Sequence, residues 1–219
     1  MGNGAKSSLF KGIKNKTNIT YEKWKDQISA ENAMQVDIDK WNKKRSSESY
    51  DAIYDYSGSG YTHTNPILRD KSFTNLSSKE IKSRLATTQD AKFMEWLDGM
   101  DKGLSSYITS KAFIGYRGAG YSLLGGRKTF EELQKMVGRT VRDTGHMSIS
   151  TVYGHEFDDD VIYKVKVPTG KGIGAYIGQM SQHKSETEYL FNRGTIFKVT
   201  KVEKYQNKPM VTLEVFGRY

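Results

Sequence analysis

Cysteine is absent from the 219 residues. That excludes disulfide scaffolds, thiol nucleophiles and cysteine-ligated zinc or iron–sulfur sites, and leaves the redox compartment open. Histidine is scarce: His63, His146, His155 and His183 are scattered without metal-site spacing, so no metal is expected. No apolar run approaches the roughly 18 residues needed to cross a bilayer, so no membrane span is expected. Hydrophobic residues reach only 36%, yet 12% aromatics argue against general disorder. Lys and Arg total 34 against 25 Asp and Glu, a net charge of +9. This excess is spread along the chain and matches no RNA- or DNA-reading module, so it reads as a solvated surface rather than a nucleic-acid site. At roughly 150 residues per domain the length fits one domain with an arm.

The arm is residues 1–20, rich in Lys, Gly, Asn and Ser. It has no apolar block of the secretory-signal kind, and Lys6 stands where myristoylation needs Ser or Thr. Its Gly4-Ala5-Lys6-Ser7 lacks the Gly before Lys of a phosphate loop. Residues 21–219 read as a single domain. Tyr21 to Arg45 has helical spacing at Trp24, Ile28, Ala33 and Trp41, and Ser47 to Tyr56 suggests a second helix. Gly58-Ser59-Gly60 predicts a break, and Asn65-Pro66 the start of a short helix. Ser77 reads as an N-cap, with periodicity through Ile81, Leu85, Phe93, Trp96 and Leu97 interrupted near Thr87.

After residue 110 the period changes. Strands are predicted from Ala112 to Arg117, Val161 to Val167, Tyr189 to Phe191, Thr195 to Val202 and Met210 to Phe216. A short helix is predicted from Thr129 to Val137. Helices lead and strands follow, which predicts an α+β fold with a mainly antiparallel β core and helices packed on it.

Three segments carry chemistry. Tyr116-Arg117-Gly118 ends a strand, Ser148-Ile149-Ser150 forms a second, and Glu186-Thr187-Glu188 precedes the apolar run Tyr189-Leu190-Phe191. Aromatic-Arg-Gly, Ser-x-Ser and Glu-x-Glu in that order resemble the bacterial mono-ADP-ribosyltransferase toxins of the Arg-Ser-Glu class. The likeness is to the enzymatic components of binary toxins and the small Rho-modifying exoenzymes. Asp55 to Tyr61 with Asn65 and Arg69, and Val165 to Pro168 with Gly174-Ala175-Tyr176, resemble the family's flanking segments. The resemblance spans residues 50–216 and implies that family's mixed β-sandwich core with N-terminal helices around it.

It also implies NAD as the substrate, without a metal. Cleaving the nicotinamide–ribose bond passes through an oxocarbenium-like state that a carboxylate stabilises, as in glycosidases; Glu188 is the candidate, and in the family the matching residue binds the ribose 2′-hydroxyl. Side chains two apart share a strand face, so Glu186 is expected beside it, contacting the acceptor. In the family Glu-x-Glu accompanies arginine acceptors, and Gln at the first position accompanies asparagine. The forked guanidinium of Arg117 suits phosphate, and Gly118 permits close approach to nicotinamide. Ser148 is expected to position Glu188, and Ser150 to support the cleft; Ser150-Thr151-Val152 is the alternative register. Phe157 stands for the aromatic that grips nicotinamide, with core packing as its alternative, but Asp159 lies near the place of a phosphate-binding Arg. Arg69 reads first as a surface salt bridge, with a contribution to phosphate binding as its alternative. His183, three residues before Glu186, is expected to contact the protein substrate.

These readings predict an enzyme transferring ADP-ribose to an arginine of a host protein, with actin suggested by the binary-toxin likeness. NAD hydrolysis without a protein acceptor, and a non-enzymatic docking module, are the alternatives. A monomer secreted from a bacterium and acting in host cytosol, with a separate delivery component as possible partner, completes the expectation.

Overall fold

The computed structural model describes residues 19–218. The expected arm lies outside them except for its last two residues. Helix α1 (Gln27–Asn42) begins at Asp26, whose carboxylate accepts from the Ser29 amide at 2.7 Å. It buries Ala30, Met34, Ile38 and Trp41, a single stripe at helical spacing. The helix does not reach back to Tyr21 as the periodicity suggests. Glu22 and Trp24 instead form parallel bridges with Phe113 and Val152. Trp24 stacks on Phe113 with ring centroids 5.0 Å apart, and Ile28 is left 70% exposed. The stack takes both rings into the core.

Helix α2 (Ser47–Asp55) is capped by Ser46. The predicted break at Gly58-Ser59-Gly60 does not occur: the chain widens into a π turn, Tyr56–Gly60, and runs on as α3 (Tyr61–Arg69). Gly60 serves packing here, since a Cβ would lie 2.8 Å from the Trp96 ring and 2.9 Å from the Asp55 carbonyl. Pro66 sits inside α3 rather than opening a helix. Next come α4 (Ser78–Leu85), with a Ser77–Glu80 capping box, α5 (Ala91–Met94) and α6 (Leu97–Ser106). Leu68, Ile81, Leu85, Met94 and Leu97 form a small second core among them.

Two short strands, β1 (Ile108–Thr109) and β6 (Gly170–Lys171), pair with each other. Eight strands form the main sheet: β2 (Phe113–Ala119), β3 (Thr140–Arg142), β4 (Ser148–Ser150), β5 (Val161–Val167), β7 (Gly174–Tyr176), β8 (Glu188–Phe191), β9 (Thr195–Tyr205) and β10 (Lys208–Arg218). Their order is β3-β9-β10-β5-β2-β4-β8-β7, and every pairing is antiparallel except β10 with β5. The short helix predicted near Thr129 is α7 (Phe130–Gln134), with a Thr129–Glu132 capping box. The α+β arrangement is as the order of elements predicts. The brief β3 and β7 escaped the pattern, being too short to show a period.

One feature of the ladder places the site. β2 pairs with β5 along its whole length but with β4 only at Tyr116↔Ser150. Beyond that pair no backbone ladder joins β2 to β4; the Arg117 side chain bonds to the Ser148 carbonyl instead, beside Glu188 in the same cleft. Phe113 anchors β2 beneath it, packed against Trp24 and, at 5.1 Å, Tyr189. Phe113→Ala is expected to cost about 3–5 kcal/mol by cavity formation, measured as a lower urea midpoint with unchanged slope.

Candidate active site

A cleft of about 550 Å³ opens between α3 and the β4–β8 end of the sheet. Its lining includes Arg69, Arg117, Ser148, Phe157, His183, Glu186 and Glu188. Seven of the nine residues singled out from sequence therefore share one cavity; Gly118 and Ser150 line a smaller recess beside it.

Glu188 opens β8 and is only 6% exposed. Burial pushes its carboxyl up to about 7. The Ser148 hydroxyl works against this rise, the charge of Glu186 adds to it, and Ser181 and Arg117 oppose it. Ser181 Oγ donates to Glu188 Oε2 at 3.3 Å and accepts from the His183 amide at 3.1 Å. Ser181 was not singled out from the sequence, because a lone serine seven residues before a glutamate carries no pattern.

The two glutamates do not share a strand face. Glu186 ends a 3-10 turn (Lys184–Glu186), and Thr187 has the left-handed angles φ 48° and ψ 44°. A β-branched residue there is strained, by about 1–3 kcal/mol, and is held by its neighbours. Ser150 Oγ meets Thr187 Oγ1 at 2.8 Å, while the Thr151 amide and hydroxyl donate to the Thr187 carbonyl at 3.0 and 2.9 Å. The kink, rather than strand alternation, brings both carboxylates to one cleft. Ser150 thus acts through Thr187.

Arg117, at the end of β2, donates to the Ser148 carbonyl at 2.8 Å. None of the ion pairs among the described residues includes it. Burial lowers its guanidinium from the ordinary value, partly offset by Asp143. A partly buried guanidinium without a carboxylate ligand, at the wall of a cleft, suits an anionic phosphate. Arg69 is committed elsewhere: its Nε and a terminal nitrogen make a bidentate pair with Asp143, both at 2.9 Å. This bridge is at the cleft wall, and Asp143 itself is buried.

α3 is fastened to the sheet by backbone recognition. Asn65 accepts from the His146 amide at 3.0 Å and donates to the His146 carbonyl at 3.2 Å and the Tyr56 hydroxyl at 2.8 Å. Gly145 permits this approach, since a Cβ would lie 2.7 Å from Asn65 Oδ1. His146 is fully buried, with Nδ1 3.0 Å from the Phe191 carbonyl, and burial brings it down to about 4. It is neutral near pH 7.

Phe157 is 71% exposed at the cleft mouth, so it is not a core residue. Its backbone carbonyl covers Gly118, which has no room for a Cβ. The covering loop is held by the Lys208–Asp158 pair and by Tyr153, whose ring lies 4.9 Å from Tyr116 and 5.9 Å from Tyr205. His183 is exposed beside Glu186. Among the described residues no three His, Asp or Glu side chains cluster as a metal site would require, and no helix is long and apolar enough to cross a membrane.

The sequence model of the ADP-ribosyltransferase exoenzyme family matches residues 17–215. No curated protein sequence matches the chain. Among solved structures, the chain is similar to Plx2a, an ADP-ribosyltransferase toxin from Paenibacillus larvae, at 17% identity over 90% of this chain and 100% of that one, with a TM-score of 0.74. C3stau2 from S. aureus, solved with NAD, matches at 20% identity over 90% and 99% of the two chains, with a TM-score of 0.73. The enzymatic component C2-I of the Clostridium botulinum C2 toxin matches at 16% identity over 89% of this chain and 48% of that one, with a TM-score of 0.66. At these identities the likeness speaks for the fold.

The raised Glu188 has a thermodynamic signature. Its folded value of about 7 lies above the ordinary 4.5, so its contribution to stability is full below the unfolded value and is lost as pH rises through 7. Glu188→Gln is therefore expected to stabilise the protein at pH 8, by up to about 3 kcal/mol, and to match wild type near pH 4. Urea unfolding at the two pH values measures the difference; equal stability at pH 8 would mean the carboxylate is well solvated.

Proposed function

The chain belongs to the ADP-ribosyltransferase exoenzyme family, and from that premise we propose that it transfers ADP-ribose from NAD to an arginine of a host protein. The observation that carries the finer reading is the Glu186–Thr187–Glu188 kink, which turns two carboxylates of unlike environment into one cleft. Buried Glu188 suits the ribose 2′-hydroxyl, where departure of nicotinamide leaves positive charge on the sugar. More exposed Glu186 suits an acceptor arriving from solvent. A guanidinium, whose pKa exceeds about 12, is a poor nucleophile until a carboxylate orients it and accepts a proton.

The step then balances. The C1′–N bond breaks and its electron pair leaves with nicotinamide. A guanidino nitrogen attacks C1′, and its proton passes to Glu186. Arg117 holds the pyrophosphate, with the Arg69 nitrogen that does not pair with Asp143 within the same cleft. Gly118 and Phe157 belong to the nicotinamide end, and His183 to the protein acceptor. Actin is the first acceptor to test, and secretion with a separate delivery component is the setting this reading implies.

Incubation with labelled NAD, with and without agmatine as a guanidino acceptor, tests the division of labour. Glu186→Gln is expected to lose at least about 100-fold in transfer while retaining substantial NAD hydrolysis; Glu188→Gln is expected to lose both. Equal loss of hydrolysis in the two variants would show the pair acting as one unit. The acidic limb of kcat/KM for NAD is expected near pH 7, because Glu188 must be ionised. Glu186→Gln should move that limb to lower pH by removing a repelling charge, and Ser148→Ala should move it higher by removing a hydrogen bond to the carboxylate. Limbs that stay in place would assign the titration to another group.

A further inference from the structure

We propose that the junction between α2 and α3 is a positioning element for the acceptor side of the site, setting how ADP-ribose is divided between a protein acceptor and water. The inference rests on the reading that Glu186 faces the acceptor.

Glu186 follows a run of exposed residues, 182–185, in a one-turn 3-10 segment. Such a segment does not hold its own position. Its firmest anchor is Gln182, which lies against the π turn. The Gln182 amide donates to Ser57 Oγ at 3.0 Å, and its side-chain nitrogen donates to the Tyr54 carbonyl at 3.1 Å. Ser57, only 4% exposed, donates to the same carbonyl at 2.8 Å, so its hydroxyl is engaged as both donor and acceptor. The next residue, Gly58, supplies the floor: a Cβ there would fall on the Gln182 carboxamide. The π turn therefore presents a hydroxyl and a bare backbone side by side, shaped to residue 182. Other ties are the His183 amide to Ser181 Oγ at 3.1 Å, the His155 ring at 3.0 Å from the Ser185 carbonyl and a 3.4 Å bond from Gln27 to the Lys184 carbonyl.

The two outcomes of NAD cleavage place different demands on this turn. Cleavage followed by water attack depends on Glu188, which is fixed in β8 by its ladder with β4. Transfer requires in addition that a bulky nucleophile be held within about 3–3.5 Å of the reacting carbon, and a displacement of an ångström is costly. Loosening residue 182 should therefore reduce transfer more than hydrolysis.

The test uses the full chain and two substitutions that approach the contact from opposite sides, Gln182→Ala and Gly58→Ala. Nicotinamide release gives total turnover; labelled ADP-ribose on agmatine and on host-lysate protein gives transfer. Each variant is expected to lower the ratio of transfer to hydrolysis roughly tenfold, with an unchanged thermal midpoint for Gln182→Ala. The double variant should be no lower than Gln182→Ala alone, since both act through one contact. An unchanged ratio, or an equal fall in both activities, would overturn the proposal. If wild type labels neither acceptor, the acceptor reading fails and takes this one with it; if wild type labels an acceptor and the variants match it, only the present inference fails.

Discussion

A carboxylate kept from water at the edge of a sheet is the constraint around which the cleft is arranged. Glu188 gains hydrogen bonds from Ser148 and Ser181 and attraction from Arg117, yet burial and the neighbouring Glu186 outweigh these and raise its proton affinity. A carboxylate matched to near-neutral pH is what the proposed chemistry on a developing cation requires. The cost falls on folding stability, which the large aromatic core beneath the site offsets: Trp24, Phe113, Tyr189, Phe191 and Phe197 form a chain of ring contacts under β2 and β8.

That carboxylate and its partner are oriented by backbone geometry rather than by each other. Thr187 adopts a conformation that a threonine resists, and the hydroxyls of Ser150 and Thr151 hold it there. The Ser-x-Ser strand thereby serves two ends. Its first serine bonds to the Glu188 carboxylate, and its second sustains the kink at Thr187 that precedes it. The opposite wall is built from α3, drawn onto the sheet by Asn65 reading both polar groups of the His146 backbone and by the Arg69–Asp143 fork. This leaves Arg117 as the guanidinium most available to an anion.

Much of this was legible in the residues. Helices preceding strands, the capping signals at Ser77 and Thr129, and the apolar run after Glu188 each follow from local rules, and each element is found within a few residues of its expected place. Misreadings arose where tertiary contacts overrode local preference. Trp24 left the helical pattern to stack on Phe113. Gly58 and Gly60, read as breakers, are instead close-approach residues in a continuous helical segment, since a glycine that ends a helix and one that lets another chain pass look alike in sequence. Ser57, Asp143 and Ser181 were invisible because their partners lie 125, 74 and 7 residues away, at distances with no period.

By itself the sequence determined the chemical inventory: two carboxylates two residues apart, a forked cation, paired serines, and the order in which strands would present them. Only the tertiary structure decided which of these groups share a cavity and in what electrostatic state. Burial raises Glu188 because α3 and the sheet close over it, and no local pattern encodes how much water a distant helix will exclude. The same reason governs Arg69, whose guanidinium is drawn into a pair with Asp143 by the packing of α3, while Arg117 near the end of β2 joins none of the ion pairs among the described residues.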